Sequence, residues 1–306
     1  MRRRLKVGVV LPTYRRLANP ANIKRAAELS EALGFDSVWV TDHVVVPAAH
    51  VETFGATFFE AVTTMAYIAG ITSRVEIGAA ILIVPYRHPL LLAKMLATID
   101  QLSGGRVVAG VGLGWLEAES QLMGVEHGKR ARIADEALAV MRACWSGDTA
   151  EFHFAPRPHA ERHLPLLVGG ASKAALRRAA RLGDGWIGDS LTFEELETSV
   201  AELRRELAEA GRKLEDVEVA MRTGLQVADD ASEVTESPSE TGWKTGDFAA
   251  AGRSPFRGLR AEVVQDFKRA AELGVDHLVF EFPVSRGEES MYLFETLAAI
   301  REDAGV

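Results

Sequence analysis

Apolar and polar positions along this chain keep two periods that alternate. Short runs that are almost wholly apolar, Lys6 to Leu11, Ser37 to Val40, Val75 to Val84 and Arg106 to Val111, recur through the first half. Helix-period stretches lie between them, from about Asn22 to Leu33, Phe58 to Gly70 and Pro89 to Leu102. Gly34 stands where a helix end favours a left-handed residue. Runs apolar on both faces belong to parallel strands covered by helices, not to half-exposed hairpins. The second half repeats the alternation, with strands predicted at Pro165 to Val168, Trp186 to Gly188, Val217 to Val227 and His277 to Phe282. Helices are predicted at about Ser172 to Leu182, Thr192 to Ala210, Leu259 to Leu273 and Glu288 to Arg301. Between the halves come a short helix, Glu117 to Met123, and a long one, Lys129 to Trp145. A polar stretch, Gly147 to His163, follows, and its Phe152 and Phe154 predict a packed hairpin.

Eight strand–helix units in one chain predict a (β/α)8 TIM barrel with insertions, a single domain over residues 1–306. An open doubly wound sheet is the alternative. Residues from about Ala228 to Arg257 are rich in Ser, Thr, Glu, Gly and Pro and predict a mobile insertion that acts as a lid on the pocket side.

Composition narrows the class. The chain is 47% apolar and 25% charged, with a net charge of −8, which gives no reason to expect nucleic acid or an acidic membrane surface as a partner. Its apolar runs are all shorter than the roughly 18 residues of a membrane span. Met1-Arg2-Arg3-Arg4 leads directly into Leu5 to Leu11, without the length or cleavage site of a signal peptide, so a cytoplasmic protein is expected. The lone Cys144 excludes an intrachain disulfide and a multi-cysteine metal site. His153, His159 and His163 lie near Glu161 at no usual zinc spacing, so no metal is expected.

In a parallel barrel the reacting groups hang from the C-terminal ends of strands. Those ends carry Tyr14 after the first strand, Asp42 and His43 after the second, and Arg87 and His88 after the third. Gly112, Gly114 and Trp115 follow the fourth, Gly169 to Ser172 the fifth, Asp189 the sixth, and Glu281 closes the eighth. Tyr14, Trp115, Asp189 and Glu281 are expected to line a substrate pocket. His43 can exchange a proton near neutral pH, or it can merely cap its loop. Gly169-Gly170-Ala171-Ser172 before a helix reads as an anion cradle, since glycines let the backbone approach and the helix N-terminus offers N–H groups. The same residues also suit a tight turn with Ser172 as N-cap. Gly110-x-Gly112-x-Gly114 is not a dinucleotide fingerprint, because the third-glycine position holds Trp115 or Glu117 and three units precede it. Small residues there suit the approach of a flat ring. G-x-S-x-G, H-E-x-x-H and P-loop motifs are absent.

Taken together, Phe35 to His43, Ile77 to Trp115, Leu167 to Ser172 and Arg181 to Trp186 resemble the bacterial luciferase-like superfamily of flavin and deazaflavin oxidoreductases. The resemblance covers nearly the whole chain. It implies a barrel, commonly a homodimer, and a non-prolyl cis peptide in the third strand, at Ala80-Ile81 or Ala79-Ala80, supporting the cofactor ring. It implies that Gly169, Gly170, Ala171 and Ser172 hold the cofactor phosphate, that Asp42 contacts the ring or its side chain, and that His43 faces the reacting centre. Sugar-phosphate dehydrogenases of this superfamily carry a glutamate where Trp115 stands, so Trp115 implies a less polar, small-molecule substrate. The implied activity is a coenzyme F420-dependent oxidoreductase; a reduced-FMN-dependent monooxygenase and a non-catalytic flavin-binding barrel are the alternatives.

Overall fold

The computed structural model describes residues 3–159, 163–228, 230, 254–282 and 292–306. Eight parallel strands close into a barrel with helices between them. They begin with β1 (Lys6–Val10), β2 (Ser37–Val40) and β3 (Glu76–Ala79), joined by α1 (Pro20–Ala32), α2 (Val51–Phe54) and α3 (Ala61–Ile71). The predicted third strand is split: after β3 the chain resumes as β4 (Leu82–Ile83), with Ala80–Ile81 between them as a cis peptide. Then come α4 (Pro89–Ser103), β5 (Val107–Gly112), α5 (Glu117–Leu122), α6 (Arg130–Ser146), β6 (Leu166–Gly169), α7 (Lys173–Leu182), β7 (Gly185–Asp189), α8 (Phe193–Glu209) and β8 (Glu218–Gly224). Two short strands, β9 (Gln226–Ala228) and β10 (Arg257–Leu259), precede α9 (Arg260–Leu273), β11 (His277–Glu281) and α10 (Tyr292–Ala304).

The hydrogen-bonded order β3-β2-β1-β11-β8-β7-β6-β5-β4, closed by pairing of Ile77 and Gly78 in β3 with Val107 and Val108 in β5, excludes the open sheet. β4 continues that seam through Leu82↔Val111 and Ile83↔Gly112.

Two cores follow from strands buried on both faces. The larger lies between barrel and helices. The smaller fills the barrel with Val10, Trp39, Ala80, Val108, Leu167, Ile187, Ala220 and Val279. Trp39 is the bulk of that interior, and its neighbours give way to it: a Cβ on Gly78 would lie 2.3 Å from the Trp39 ring. At the N-terminal end of the barrel, Lys6 Nζ lies 3.0 Å from both Glu76 Oε2 and Glu218 Oε2, and Glu218 Oε1 lies 2.8 Å from Nδ1 of the buried His277. No helix among the described residues is long and apolar enough to cross a membrane.

Several local expectations change. The seventh predicted strand, Val217 to Val227, breaks at Leu225; β8 stays in the barrel, while β9 pairs in parallel with β10 outside it. Ala228 and Arg257, the expected ends of the insertion, are therefore strand residues, and Phe256 beside them is fully buried against Phe267 and Phe280. The lid expected between them falls at 229 and 231–253, outside the described residues. The predicted hairpin does not form in 147–159: Phe152 is exposed, and only Phe154 packs, with Lys94 Nζ 4.5 Å above its ring. The helix expected from Phe58 starts at Ala61, because the Glu60 carboxylate caps it by accepting from Thr63 N at 2.6 Å.

Candidate functional site

The strand C-termini enclose a cavity of about 420 Å³. Its wall is built strand by strand: Thr41, Asp42 and His43 after β2; Ala80, Ile81 and Ile83 around β4; Gly112 to Trp115 after β5; Gly169 to Ser172 after β6; Ile187 to Asp189 from β7; and Arg222 from β8. Arg130 and Ala175 join from α6 and α7. Of the sequence-predicted residues, Asp42, His43, Ala80, Ile81, Gly112, Gly114, Trp115, Gly169, Gly170, Ala171, Ser172 and Asp189 meet here, whereas Tyr14, Ala79 and Glu281 do not reach the wall.

His43 is 5% exposed and packs its Nδ1 2.6 Å from Oε2 of Glu119, a residue of α5 that is fully buried. The other carboxylate oxygen of Glu119 accepts from the amides of Val44 at 2.8 Å and Val45 at 3.2 Å. A carboxylate held by two amides is an acceptor, so Nδ1 carries a proton toward it and Nε2 is the ring's acceptor nitrogen. The pair has the form of a general acid–base: the carboxylate fixes the tautomer and stabilises the imidazolium that forms when Nε2 accepts a proton.

Asp42 beside it is committed differently. Arg87 Nη1 donates to Asp42 Oδ2 at 2.6 Å and Nη2 to Oδ1 at 2.8 Å, and the amide of Ile83 donates to Oδ2 at 2.8 Å. Arg87 Nη2 also donates to Glu60 Oε1 at 2.7 Å. These carboxylates push the Arg87 guanidinium further up despite its burial, and Arg87 in turn helps hold Glu60 below the usual carboxylate range against desolvation. Asp42 thus ties the end of β2 to β4, and that tie sets the position of His43.

The turn Gly169 to Ser172, read in the sequence as an anion cradle, presents backbone to the cavity. Gly170 has φ +115°, where a side chain is strained, and its carbonyl accepts from Trp186 Nε1 at 2.7 Å. Ser172 caps α7, its hydroxyl accepting from Ala175 N at 3.2 Å. Among the described residues, no acceptor takes the amides of Ala171 and Ser172, which sit exposed at the helix N-terminus. Such a terminus favours an anion. Space over the other glycines has an occupant already. A Cβ on Gly112 would lie 2.6 Å from Ile81 Cδ1, one on Gly169 2.7 Å from Ile81 Cγ2, and one on Gly114 2.8 Å from Ile83 Cγ2. A Cβ on Gly110 would strike the Ala79 carbonyl oxygen at 1.9 Å. The glycines expected to admit a flat ring make room first for the kinked β3–β4 segment that forms the cavity floor.

Opposite His43, Arg222 places Nη1 3.3 Å from Asp189 Oδ1 and Nη2 against Glu281 Oε2. Burial pushes the Glu281 carboxyl up, to about 8. Tyr14 is buried under Phe58, ring centroids 4.9 Å apart, which is why it stays out of the cavity; its hydroxyl finds no partner among the described residues. Much of the remaining wall is apolar. Trp115, 46% exposed, meets His43, His50 and Phe54 edge-on at 6.5, 6.0 and 5.7 Å, and Val44 and Val45 are exposed nearby.

Three side chains escaped the sequence reading, although two left a trace. Leu116, Glu119, Ser120 and Met123 share one face of α5, so Glu119 is an acid at an apolar-face position. Arg222 is a cation inside a buried strand. Arg130, whose guanidinium donates to the carbonyls of Gly114 and His127 at 3.1 and 2.5 Å, left none.

Known proteins share this chain and this fold. An uncharacterized protein of Mycobacterium tuberculosis is 30% identical over 322 residues, covering 95% of this chain and 97% of its own. The FMNH(2)-dependent dimethylsulfone monooxygenase of Pseudomonas fluorescens is 30% identical over 197 residues, 60% of this chain and 52% of that protein. Monooxygenase RslO1 from Streptomyces bottropensis superposes with a TM-score of 0.79 at 23% identity, over 99% of this chain and 100% of its own. An F420-dependent secondary alcohol dehydrogenase does so with 0.76 at 20% identity, over 97% of this chain and 99% of its own. At such identities the two solved structures speak for the fold alone. Residues 5–303 match the luciferase-like monooxygenase family, and the chain belongs to that family.

Proposed function

We propose that this chain is a cytoplasmic, coenzyme F420-dependent oxidoreductase that moves a hydride between the deazaflavin and a small, fairly apolar organic substrate. The observation that carries the proposal is the His43–Glu119 pair, a proton-exchanging histidine fixed by a buried carboxylate in the wall of an apolar cavity. The deazaflavin supplies the hydride chemistry when bound. Ala171 and Ser172 hold its phosphate through their amides, and Gly170 keeps that surface clear. Ala80 and Ile81 support its ring, and Trp115 presses the substrate toward His43. Oxidising an alcohol carbon by hydride loss releases a proton from oxygen, and His43 Nε2 takes it; in the reverse direction Nε2 returns it. A reduced-FMN-dependent monooxygenase is the second reading, favoured by the dimethylsulfone monooxygenase as a relative. In that case His43 serves the proton steps of oxygen activation at the same place. The proposed enzyme is a homodimer, supported by Leu91 and Leu102 exposed on α4, and light scattering tests that.

Titration of the purified protein with F420 and with FMN, followed by fluorescence, decides between the cofactors: saturable micromolar binding of F420 and weaker binding of FMN is the expected result. The opposite order overturns the F420 assignment. Gly170→Val should weaken binding of whichever cofactor is taken, and unchanged affinity in the folded variant would reduce the cradle to a structural turn.

A further inference from the structure

Glu119 does not end the hydrogen-bond path that starts at His43. The Tyr86 hydroxyl lies 3.5 Å from Glu119 Oε2, the Ser120 hydroxyl lies 3.1 Å from Tyr86 Oη, and His127 Nδ1 lies 3.2 Å from Ser120 Oγ. Glu119, Tyr86 and Ser120 are buried, whereas His127 is half-buried, in the turn after α5. The path therefore leaves the cavity wall, runs through buried side chains and ends at half-buried His127, in the turn after α5. We infer that Tyr86, Ser120 and His127 form a proton relay connecting the His43–Glu119 pair to solvent, one that operates while ligands fill the cavity.

Each link has the chemistry it needs. Burial pushes the Tyr86 phenol up, to about 12, so it stays a neutral hydroxyl that accepts one proton as it gives another. Ser120 has two acceptors in reach, its own-helix carbonyl at Leu116 at 3.1 Å and His127 Nδ1, so its proton can face either way. In the outward direction a proton arrives at His43 Nε2 and the Nδ1 proton moves to Glu119 Oε2. The carboxylic acid passes a proton to Tyr86 Oη, the phenol passes its own to Ser120 Oγ, and the serine passes its own to His127 Nδ1. His127 then releases the proton on Nε2 to water. One proton enters, one leaves and no electron moves; rotation resets the two hydroxyls, and each imidazole returns to its starting tautomer by proton exchange, His127 with solvent and His43 through the relay and the cavity once the ligand has left.

The geometry also separates the two nitrogens of His43. Cavity water can exchange a proton at Nε2. A proton at Nδ1 faces Glu119, which is fully buried, and the other oxygen of Glu119 accepts from backbone amides, which offer no exit. The exchange of the Nδ1 proton with solvent therefore reads the relay without any cofactor. The relay's use in turnover rests on the proposed role of His43, but this exchange does not.

The test is NMR of the ¹⁵N-histidine-labelled protein, following exchange of the His43 Nδ1 proton with water. Tyr86→Phe and Ser120→Ala should each slow it by about 10²-fold, the low end for losing a positioned proton-transfer group. His127→Ala should slow it likewise, and added imidazole should restore the rate in that variant alone. Wild-type exchange in both Tyr86→Phe and Ser120→Ala, with the His43 signal otherwise unmoved, overturns the relay; so does a slowed His127→Ala that imidazole fails to rescue. Two separate variants keep the test decisive where one fails to fold. If His43→Ala keeps full hydride transfer, the functional proposal fails while these exchange rates stand.

Discussion

The barrel holds two buried histidines in the same way, one at each end. At the C-terminal end His43 Nδ1 lies 2.6 Å from Glu119; at the N-terminal end His277 Nδ1 lies 2.8 Å from Glu218. What differs is the second ring nitrogen. His277 Nε2 lies 2.7 Å from the Ser37 hydroxyl, which itself accepts from Trp39 Nε1 at 2.7 Å. An indole only donates, so the serine hydrogen points to Nε2 and the tautomer is closed on both sides. Lys6 then neutralises Glu218. His43, by contrast, stands in the cavity wall. A carboxylate–histidine pair is therefore no sign of catalysis by itself. The surroundings of the other nitrogen, and the end of the barrel it occupies, decide whether the pair serves chemistry or stability.

The largest expected difference lies in turnover. Glu119→Gln keeps the shape and the acceptor for Val44 and Val45 but loses the charge behind His43. Turnover should fall about 10²–10⁴-fold, the range for losing general acid–base catalysis. Thermal stability should move little. A folded Glu119→Gln protein with wild-type turnover would break the contrast from the top.

The counterpart at the bottom is Glu218→Ala. Removing this carboxylate should cost about 3 kcal/mol, the low end for breaking a buried pair, since it strands buried His277 Nδ1 while Lys6 keeps Glu76. Denaturant unfolding measures that loss, and turnover per folded molecule should stay at the wild-type value. A stable variant with impaired turnover would place chemistry at the wrong end.

Acid separates the two pairs as well. His277 and Lys6 hold the Glu218 carboxyl at about 2 against desolvation, below its ordinary 4.5. A depressed carboxyl gives stability that is present above pH 4.5 and is lost as pH falls toward 2. Across that window the wild type should lose about 3 kcal/mol, because a carboxyl moved through one pH unit changes stability by about 1.36 kcal/mol. Glu218→Gln should flatten the profile there, and an unchanged acid limb would show that other groups carry it.

Much of this contrast is legible in the sequence, because position along a strand is legible. Apolar runs that alternate with helix-period stretches yield the eight strands, and His43 follows the end of one while His277 opens another. The turn proposed as a cradle can be read for the same reason: Gly169 to Ser172 is local and built from backbone. Side-chain partners drawn from distant elements are not local. Glu119 lies 76 residues from His43, and Arg87 lies 45 from Asp42. Tyr14 stands at the strand end its position predicts, but Phe58, from a different loop, covers it. The glycines at the end of β5 read as clearance for a ligand, yet the space belongs first to Ala79, Ile81 and Ile83, whose kinked path no periodicity announces.

The smallest effect tests the closure itself. Ser37→Ala removes one hydroxyl and leaves Trp39 Nε1 and His277 Nε2 without their partner, both in side chains that are fully buried. Each stranded group costs its desolvation, offset because His277 keeps Glu218 and water can enter the vacated space. A loss of about 2 kcal/mol in unfolding free energy is expected, within the range for a buried donor or acceptor left unsatisfied. Turnover should be untouched, and the acid limb should persist, since Glu218 still faces His277 and Lys6. An unchanged stability would mean that the serine does not lock the tautomer. His277 would then differ from His43 only by its end of the barrel, and the second nitrogen would have no part in setting the roles apart.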